Sequence, residues 1–288
     1  TVGNQIYNGQ LALSNDSVLT SSSGNIVFNN ALTNTSNNNI NISVNAGTNS
    51  DVTFNHNLSG NLNVLVNGNG VSALILDTSN AQTWNLTGSN SGSLTMTGLN
   101  GSINYNNIQG IVGGSGNDTF ILGSNNVATH IDGGAGNNTI DFGQYTGAAS
   151  ITLGNNYLIN NITINNQVVD QYTNMNGIVG NANEVNTITL PTNTPYNAIT
   201  FSNADKTAGQ IANLISFNNF IIANMPASPV TNTTPVTTYI PITTFTPFTT
   251  LAPANSFSTN YLNVLTYVKV PALLNSPFFM HDMTPVDA

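Results

Sequence analysis

Two glycine turns, Gly113-Gly114-Ser115-Gly116-Asn117-Asp118-Thr119-Phe120-Ile121 and Gly133-Gly134-Ala135-Gly136-Asn137-Asn138-Thr139-Ile140-Asp141, begin 20 residues apart. Both follow the pattern G-G-x-G-x-D-x-U-x, in which glycines permit a tight turn, an acidic side chain reaches back to a cation and an apolar residue enters a stacked core. The second copy carries Asn138 where the pattern has Asp. A step of about 20 residues suits one turn of a β-solenoid. The spacing therefore predicts that the two turns sit one above the other along one edge.

The rest of the first 190 residues agrees with that geometry. Apolar residues come in short alternating bursts, among them Ile26/Phe28, Ile40/Ile42/Val44, Val52/Phe54, Leu62/Val64/Val66, Trp84/Leu86, Ile103/Tyr105, Ile151/Leu153 and Ile188/Leu190. A period of two means strands with one buried face. Asn, Gly and Ser clusters, which tolerate left-handed and turn conformations, connect the bursts. Such spacing fits a hairpin sandwich or a solenoid. A longer echo favours the solenoid: Gly110-Ile111-Val112-Gly113 before Asn117-Asp118-Thr119-Phe120 matches Gly177-Ile178-Val179-Gly180 before Asn183-Glu184-Val185-Asn186-Thr187-Ile188. The fold class expected is all-β, a parallel β-helix over residues 1–200 with an extended C-terminal arm. A connecting segment at 201–228 follows, where 205–224 admits a short helix.

From Pro229 the composition changes. Pro229, Pro235, Pro241, Pro247 and Pro253 recur every six residues. Six is even, so in an extended strand every proline faces one side; in polyproline II it is two full turns, with the same result. Proline lacks an N–H, which confines the segment to an edge or a linker. Tyr239, Ile240, Phe245, Phe248 and Leu251 make it too apolar for a solvated linker. With the strand-like Tyr261–Val270 run and the apolar Phe278, Phe279 and Met280, residues 229–288 read as an arm. It either folds back on its own body or adds a strand to a neighbouring subunit.

Charge narrows the partners. Two lysines, Lys206 and Lys269, stand against 11 acidic residues, giving a net charge of −9, and charged residues make up 5% of the chain. Ordinary domains carry roughly 25%. Nucleic-acid binding is excluded, because it rests on neutralising phosphates with Lys and Arg. Zero cysteines remove disulfides and thiol chemistry. No apolar run reaches the roughly 18 residues of a membrane-spanning helix, so membrane insertion is not expected. Thr1-Val2-Gly3 opens in mid-pattern and reads as a mature or excised fragment. The surface must be solvated by polar neutral residues; asparagine alone supplies 54 of 288.

Candidate chemistry is sparse. The turn motif offers a calcium site with Asp118 as carboxylate ligand and Asp132, Asp141, Asn117 and Asn138 completing an oxygen shell. Calcium is optional in this reading, and no cofactor is required. The competing reading keeps the turns for their glycines and their asparagine stacking. His56, His130 and His281 lie in unrelated stretches, and His281-Asp282 lacks a distinguishable nucleophile. A lyase needs cationic groups that this chain lacks. The two-carboxylate route of a glycosidase stays open only through Asp132 and Asp141. No enzyme is expected.

The order of these motifs also carries a resemblance. Trp84-Asn85-Leu86-Thr87-Gly88-Ser89-Asn90-Ser91-Gly92-Ser93-Leu94, Ile103-Asn104-Tyr105-Asn106-Asn107-Ile108, the two glycine turns and Ile140-Asp141-Phe142 follow one another. They resemble modules of bacterial secreted filamentous-haemagglutinin-like and RTX-repeat-containing adhesin exoproteins. The opening Gly3-Asn4-Gln5-Ile6-Tyr7-Asn8-Gly9 and Gly24-Asn25-Ile26-Val27-Phe28-Asn29 resemble the repeat preceding that module. The resemblance spans residues 3–190. It implies a right-handed parallel β-helix, export from a Gram-negative cell, and a role in attachment, biofilm or fibre formation. The chain is far shorter than those exoproteins, and residues 225–288 match none of their modules. The function expected is an extracellular structural or adhesive protein, self-assembling through its C-terminal arm. The alternative is a module binding surface glycans.

Overall fold

The computed structural model describes residues 1–70, 72–123, 130–164, 167–169 and 172–228. The chain divides into two units, Thr1–Ala227 and Ser228–Ala288. The expected arm at 229–288, with Lys269, His281 and Asp282, lies outside the described residues. The first unit is all-β. Among the described residues its only helical element is the 3-10 turn Tyr196–Ala198.

Parallel pairing dominates. Gln5–Tyr7, Ile26–Phe28, Val52–Phe54, Ala73–Leu76, Gly110–Val112, His130–Asp132 and Tyr172–Thr173 form one wholly parallel seven-stranded sheet. A twelve-stranded sheet takes up Ser17–Thr20, Ile40–Thr48, Leu62–Asn69 and Ile103–Asn106, then Gln82–Gly88, Thr119–Leu122, Thr139–Asp141, Gly177–Val179 and Ile215–Asn218. Leu11–Leu13, Leu32–Asn34 and Leu58–Ser59 make a third sheet, and a five-stranded sheet that includes Ala149–Leu153, Thr187–Thr189 and Ile221–Ile222 makes the last. The chain visits these sheets in rotation. Three successive passes run through Gln5–Tyr7, Leu11–Leu13 and Ser17–Thr20, then Ile26–Phe28, Leu32–Asn34 and Ile40–Thr48, then Val52–Phe54, Leu58–Ser59 and Leu62–Asn69.

Period-two sequence explains the strands, and their register explains the core. Along Leu62–Asn69 burial alternates residue by residue, so Leu62, Val64 and Val66 point inward while Asn63 and Asn67 do not. Parallel register then sets like upon like. Tyr7 pairs with Phe28 and Phe28 with Phe54, and their rings stack at 5.1 and 4.7 Å with interplanar angles of 12° and 1°. Trp84 stacks on Phe120 at 5.9 Å. Each fully buried ring contributes about 1.5–3 kcal/mol of transfer free energy. The indole N–H of Trp84 donates to Gln82 Oε1 at 3.0 Å, so its burial strands no polar group.

Where the step between paired strands lengthens, antiparallel strands fill the difference. Asp118 reaches Asn138 across 20 residues, but Gln82 reaches Asp118 across 36 and Asn138 reaches Asn176 across 38. These two intervals hold the pairs Gln82–Gly88 with Ser91–Met96 and Ala149–Leu153 with Ile159–Ile164, and the step from Gly177 to its partner Ser216 holds Ile199–Phe201 with Gly209–Ile211. The parallel ladder therefore continues through Gly177–Val179 to Ile215–Asn218. It extends past residue 200, where the sequence pattern weakens. Residues 205–224, read from sequence as admitting a short helix, instead supply the strands Gly209–Ile211, Ile215–Asn218 and Ile221–Ile222. Ile211, Ile215 and Phe217 alternate inward there, and a helix would split that buried set.

The corners account for much of the asparagine. Among the described residues ten non-glycine positions have positive φ, and seven are asparagines: Asn49, Asn90, Asn107, Asn174, Asn193, Asn213 and Asn219. Asparagine tolerates the left-handed region because its short amide bonds locally. The sequence echo falls differently from expectation. Gly110–Val112 belongs to the seven-stranded sheet, whereas Gly177–Val179 belongs to the twelve-stranded one. What repeats is a local strand, corner and strand, displaced by one sheet.

Candidate functional site

The two glycine turns stack directly. Thr139 N–H donates to Asp118 O at 2.8 Å, Ala135 N–H to Gly114 O at 2.9 Å and Gly113 N–H to Asp132 O at 2.9 Å. The backbones approach so closely that a Cβ on Gly114 would overlap the Thr78 carbonyl. One on Gly136 would overlap the Gly116 carbonyl. These glycines are required for contact between layers, and Gly134 and Gly136 for positive φ as well.

Side-chain amides and carboxyls tie layer to layer. Asn4 Oδ1 accepts the Asn25 N–H at 2.8 Å, Asn25 Oδ1 the Asp51 N–H at 2.9 Å, and Asp51 Oδ1 the Ala73 N–H at 2.9 Å. The same device continues with Asp118 Oδ1 accepting the Gln82 N–H at 2.8 Å, Asn138 Oδ1 the Asp118 N–H at 3.0 Å and Asn176 Oδ1 the Asn138 N–H at 3.2 Å. Outward-facing amides form columns of their own. Asn55 donates to Asn29 and Asn29 to Asn8, at 2.7 and 2.8 Å, and Asn67 donates to Asn45 at 2.8 Å.

Three buried residues hold equivalent positions in this system: Asp118, Asn138 and Asn186, at 1%, 0% and 1% exposure. Each lies two residues before an inward core residue, Phe120, Ile140 or Ile188, and so shares its face. Each turns Oδ1 to the N–H of a neighbouring layer. The second fork atom faces carbonyls. Asn138 Nδ2 donates to Ala135 O at 3.1 Å and Asn174 O at 3.0 Å; Asn186 Nδ2 donates to Asn181 O at 2.8 Å and Asn219 O at 2.9 Å. Asp118 Oδ2, in the corresponding place, is buried and has no hydrogen-bond partner. Burial pushes the Asp118 carboxyl above its ordinary value, opposed by the N–H groups of Gln82 and Gly114. The Gly114 N–H lies near the carboxyl without reaching hydrogen-bond geometry to Oδ2.

The other residues that the motif nominates for calcium are dispersed. Asp132 sits on the seven-stranded sheet and Asp141 on the twelve-stranded one, both opposite in parity to the inward Ile131 and Ile140. Asp132 Oδ1 accepts the Gly134 N–H at 2.9 Å and the Asn174 amide at 2.6 Å. Its burial would raise the carboxyl pKa, but these bonds, the Thr173 hydroxyl and nearby His130 hold it below the ordinary value. Asp141 Oδ1 accepts the Gly143 N–H at 2.6 Å, and the exposed Asn117 accepts the Asn137 N–H at 2.8 Å. Among the described residues no three His, Asp or Glu side chains are grouped as a metal would need. Asp132 and Asp141, the pair considered for the two-carboxylate reading, lie on separate sheets. His56 and His130 are exposed.

An open groove of about 440 Å³ runs beside Ile199–Phe201 and Gly209–Ile211, with Thr200, Ser202, Gln210 and Asn218 at its wall and no titratable side chain lining it. Among the described residues no helix is long and apolar enough to cross a membrane. Sequence reasoning placed Asp118 beside Asp132 and Asp141 because the glycine motif outweighed parity. Counting by twos from Phe120 puts Asp118 inward, whereas Asp132 and Asp141 are out of step with the inward Ile131 and Ile140 of their own strands. Comparison of the chain with family models, with characterised proteins and with solved structures finds no match.

Proposed function

We propose that residues 1–227 are a β-solenoid body in an extracellular structural protein, and that the chain assembles into a fibre or biofilm matrix through the apolar, proline-phased segment at 229–288. The observation that supports this reading is the uninterrupted interlayer bonding, from Asn4–Asn25 at one end to Leu190–Asn224 at the other. Among the described residues it ties successive passes of the chain by amide and carboxyl hydrogen bonds rather than by ion pairs, as suits a rod that carries load. The protein acts mechanically, outside a bacterial cell. Its surface, poor in charge and rich in amides, offers weak repulsion between copies and so favours association.

Electron microscopy of the purified chain tests the proposal, with filaments as the expected outcome. Removal of residues 229–288 is the sharper test: it should leave folded, dispersed particles, and filaments of undiminished length would refute the role given to the arm. The outward amide columns Asn8–Asn29–Asn55 and Asn45–Asn67 support a second reading, a module that presents amides to sugar hydroxyls. Binding on a glycan array by the dispersed form, with no filaments from the full chain, would favour it.

A further inference from the structure

We propose that the groove beside Ile199–Phe201 and Gly209–Ile211 is a binding site for a neutral saccharide. It lies over Ile199–Phe201, Gly209–Ile211 and Ile215–Asn218, successive strands paired antiparallel at the end of the twelve-stranded sheet. Register aligns Thr200 with Gln210 and Gln210 with Ser216, one polar side chain per strand. Their neighbours Ile199, Ile211, Ile215 and Phe217 are buried, so this row faces away from the core. One step along, Ser202 N–H donates to Ala208 O at 2.9 Å, and Asn218 stands two residues beyond Ser216. The middle segment carries only Ala208 and Gly209 there, which leaves a trough between polar walls. Its volume of about 440 Å³ falls within the roughly 300–1,000 Å³ of small-ligand sites.

The polar groups of this trough are uncommitted, which sets them apart from the outward amides elsewhere. Asn55 bonds Asn29, and Asn67 bonds Asn45. Among the described residues the side chains of Thr200, Ser202, Gln210 and Asn218 form no hydrogen bond within the chain, and all four are exposed. Asn218 engages only its backbone carbonyl, which accepts the Gly180 N–H. The trough therefore offers both donors and acceptors to a ligand without breaking a bond between layers.

Charge and backbone geometry choose the class of ligand. No titratable side chain lines the trough, and the Lys206 ammonium, in the loop joining its first two strands, lies over the Phe201 ring instead. A phosphate, a uronate or an ammonium group would find no counter-charge. Gly209–Ile211 is hydrogen-bonded on both sides, so an extended peptide cannot be received over the trough by strand addition. What remains is a set of hydroxyls and primary amides beside an apolar part made by Ala208, Gly209 and Phe217. A sugar ring has the matching surface, with hydroxyls on its rim and C–H groups on its face. This groove deepens the glycan-binding reading, on which it rests for the ligand class, and is separate from the outward asparagine columns. Assembly into fibres does not depend on it.

The experiment is saturation-transfer NMR with titration on the full chain, using trisaccharides of glucose, galactose, mannose and N-acetylglucosamine, and trigalacturonate as the charged counterpart. At least one neutral probe should receive transfer, with an affinity unchanged between low salt and about 1 M sodium chloride, where charge attraction is screened. Gln210→Ala should weaken that binding about two- to tenfold, as expected for one hydrogen bond. Ala208→Leu, which fills the trough, should abolish it, and Asn218→Ala supplies a second wall variant if the leucine disturbs folding. Preference for the uronate, or full binding by the groove variants, would overturn the assignment. Binding kept by those variants but lost in Asn8→Ala would move the sugar to the outward columns, so the groove would fall while the glycan-binding reading survived. Silence from every neutral probe would reject both.

Discussion

At the residue scale, glycine and asparagine do different work at the same corners. Gly114 and Gly136 lie where the backbone of one layer touches the next, so their missing Cβ atoms set the layer spacing. Gly98 has φ of +90° but faces open space. Gly98→Ala should therefore cost only the strain of a left-handed alanine, about 1 kcal/mol. Gly114→Ala should cost more, about 3 kcal/mol or beyond, because the Thr78 carbonyl cannot move without breaking its bond from Ser115 N–H. Urea unfolding of both variants checks the ranking, and equal losses would mean that conformation alone selects these glycines. The sequence exposed the glycines through their motif and their 20-residue step. It hid the burial of Asp118, at which only the parity of Phe120 hinted.

At the element scale, the strands were legible and their partners less so. Alternation placed Ile26/Phe28, Val52/Phe54 and Leu62/Val64/Val66 with the correct faces inward, since one buried face leaves a direct trace in sequence. The strands beyond residue 200 escaped because Gly209–Ile211 and Ile215–Asn218 are too short to show a period clearly. The antiparallel inserts escaped because local alternation is the same in parallel and antiparallel pairs. They also account for the displaced echo at Gly177–Val179: the intervening segment, not the repeated one, fixes which sheet receives the strand. Register has an energetic consequence that can be measured. Phe28 stacks between Tyr7 and Phe54 and is 1% exposed, whereas Tyr7 is half-buried at the end of the same stack. Phe28→Ala should cost about 3–5 kcal/mol and Tyr7→Ala clearly less. Equal losses in chemical denaturation would show that the three rings do not act as one column.

At the scale of the whole molecule, cohesion among the described residues comes from hydrogen bonds and apolar stacking rather than from ion pairs. Lys206 is the only lysine among the described residues, and its ammonium lies over the Phe201 ring at 5.7 Å. The described interlayer contacts are instead backbone ladders, asparagine amides, aspartate carboxyls accepting N–H groups, and stacked apolar rows, none of which pairs two full charges. Screening should then leave the fold almost untouched. Raising sodium chloride to about 1 M shortens the Debye length to about 3 Å and suppresses surface electrostatics. The melting temperature should change by no more than the small amount expected from relieving repulsion among the acidic groups, and in the upward direction. Filaments of the proposed kind carry a second signature. If bodies join with their ladders in line, every strand runs across the filament and the hydrogen bonds run along it. Aligned fibres should then diffract on the meridian near 4.8 Å, the spacing of paired strands. A reflection of that spacing on the equator, or assembly that dissolves in moderate salt, would mean that copies join side by side through charged contacts, and the longitudinal arrangement would have to be abandoned.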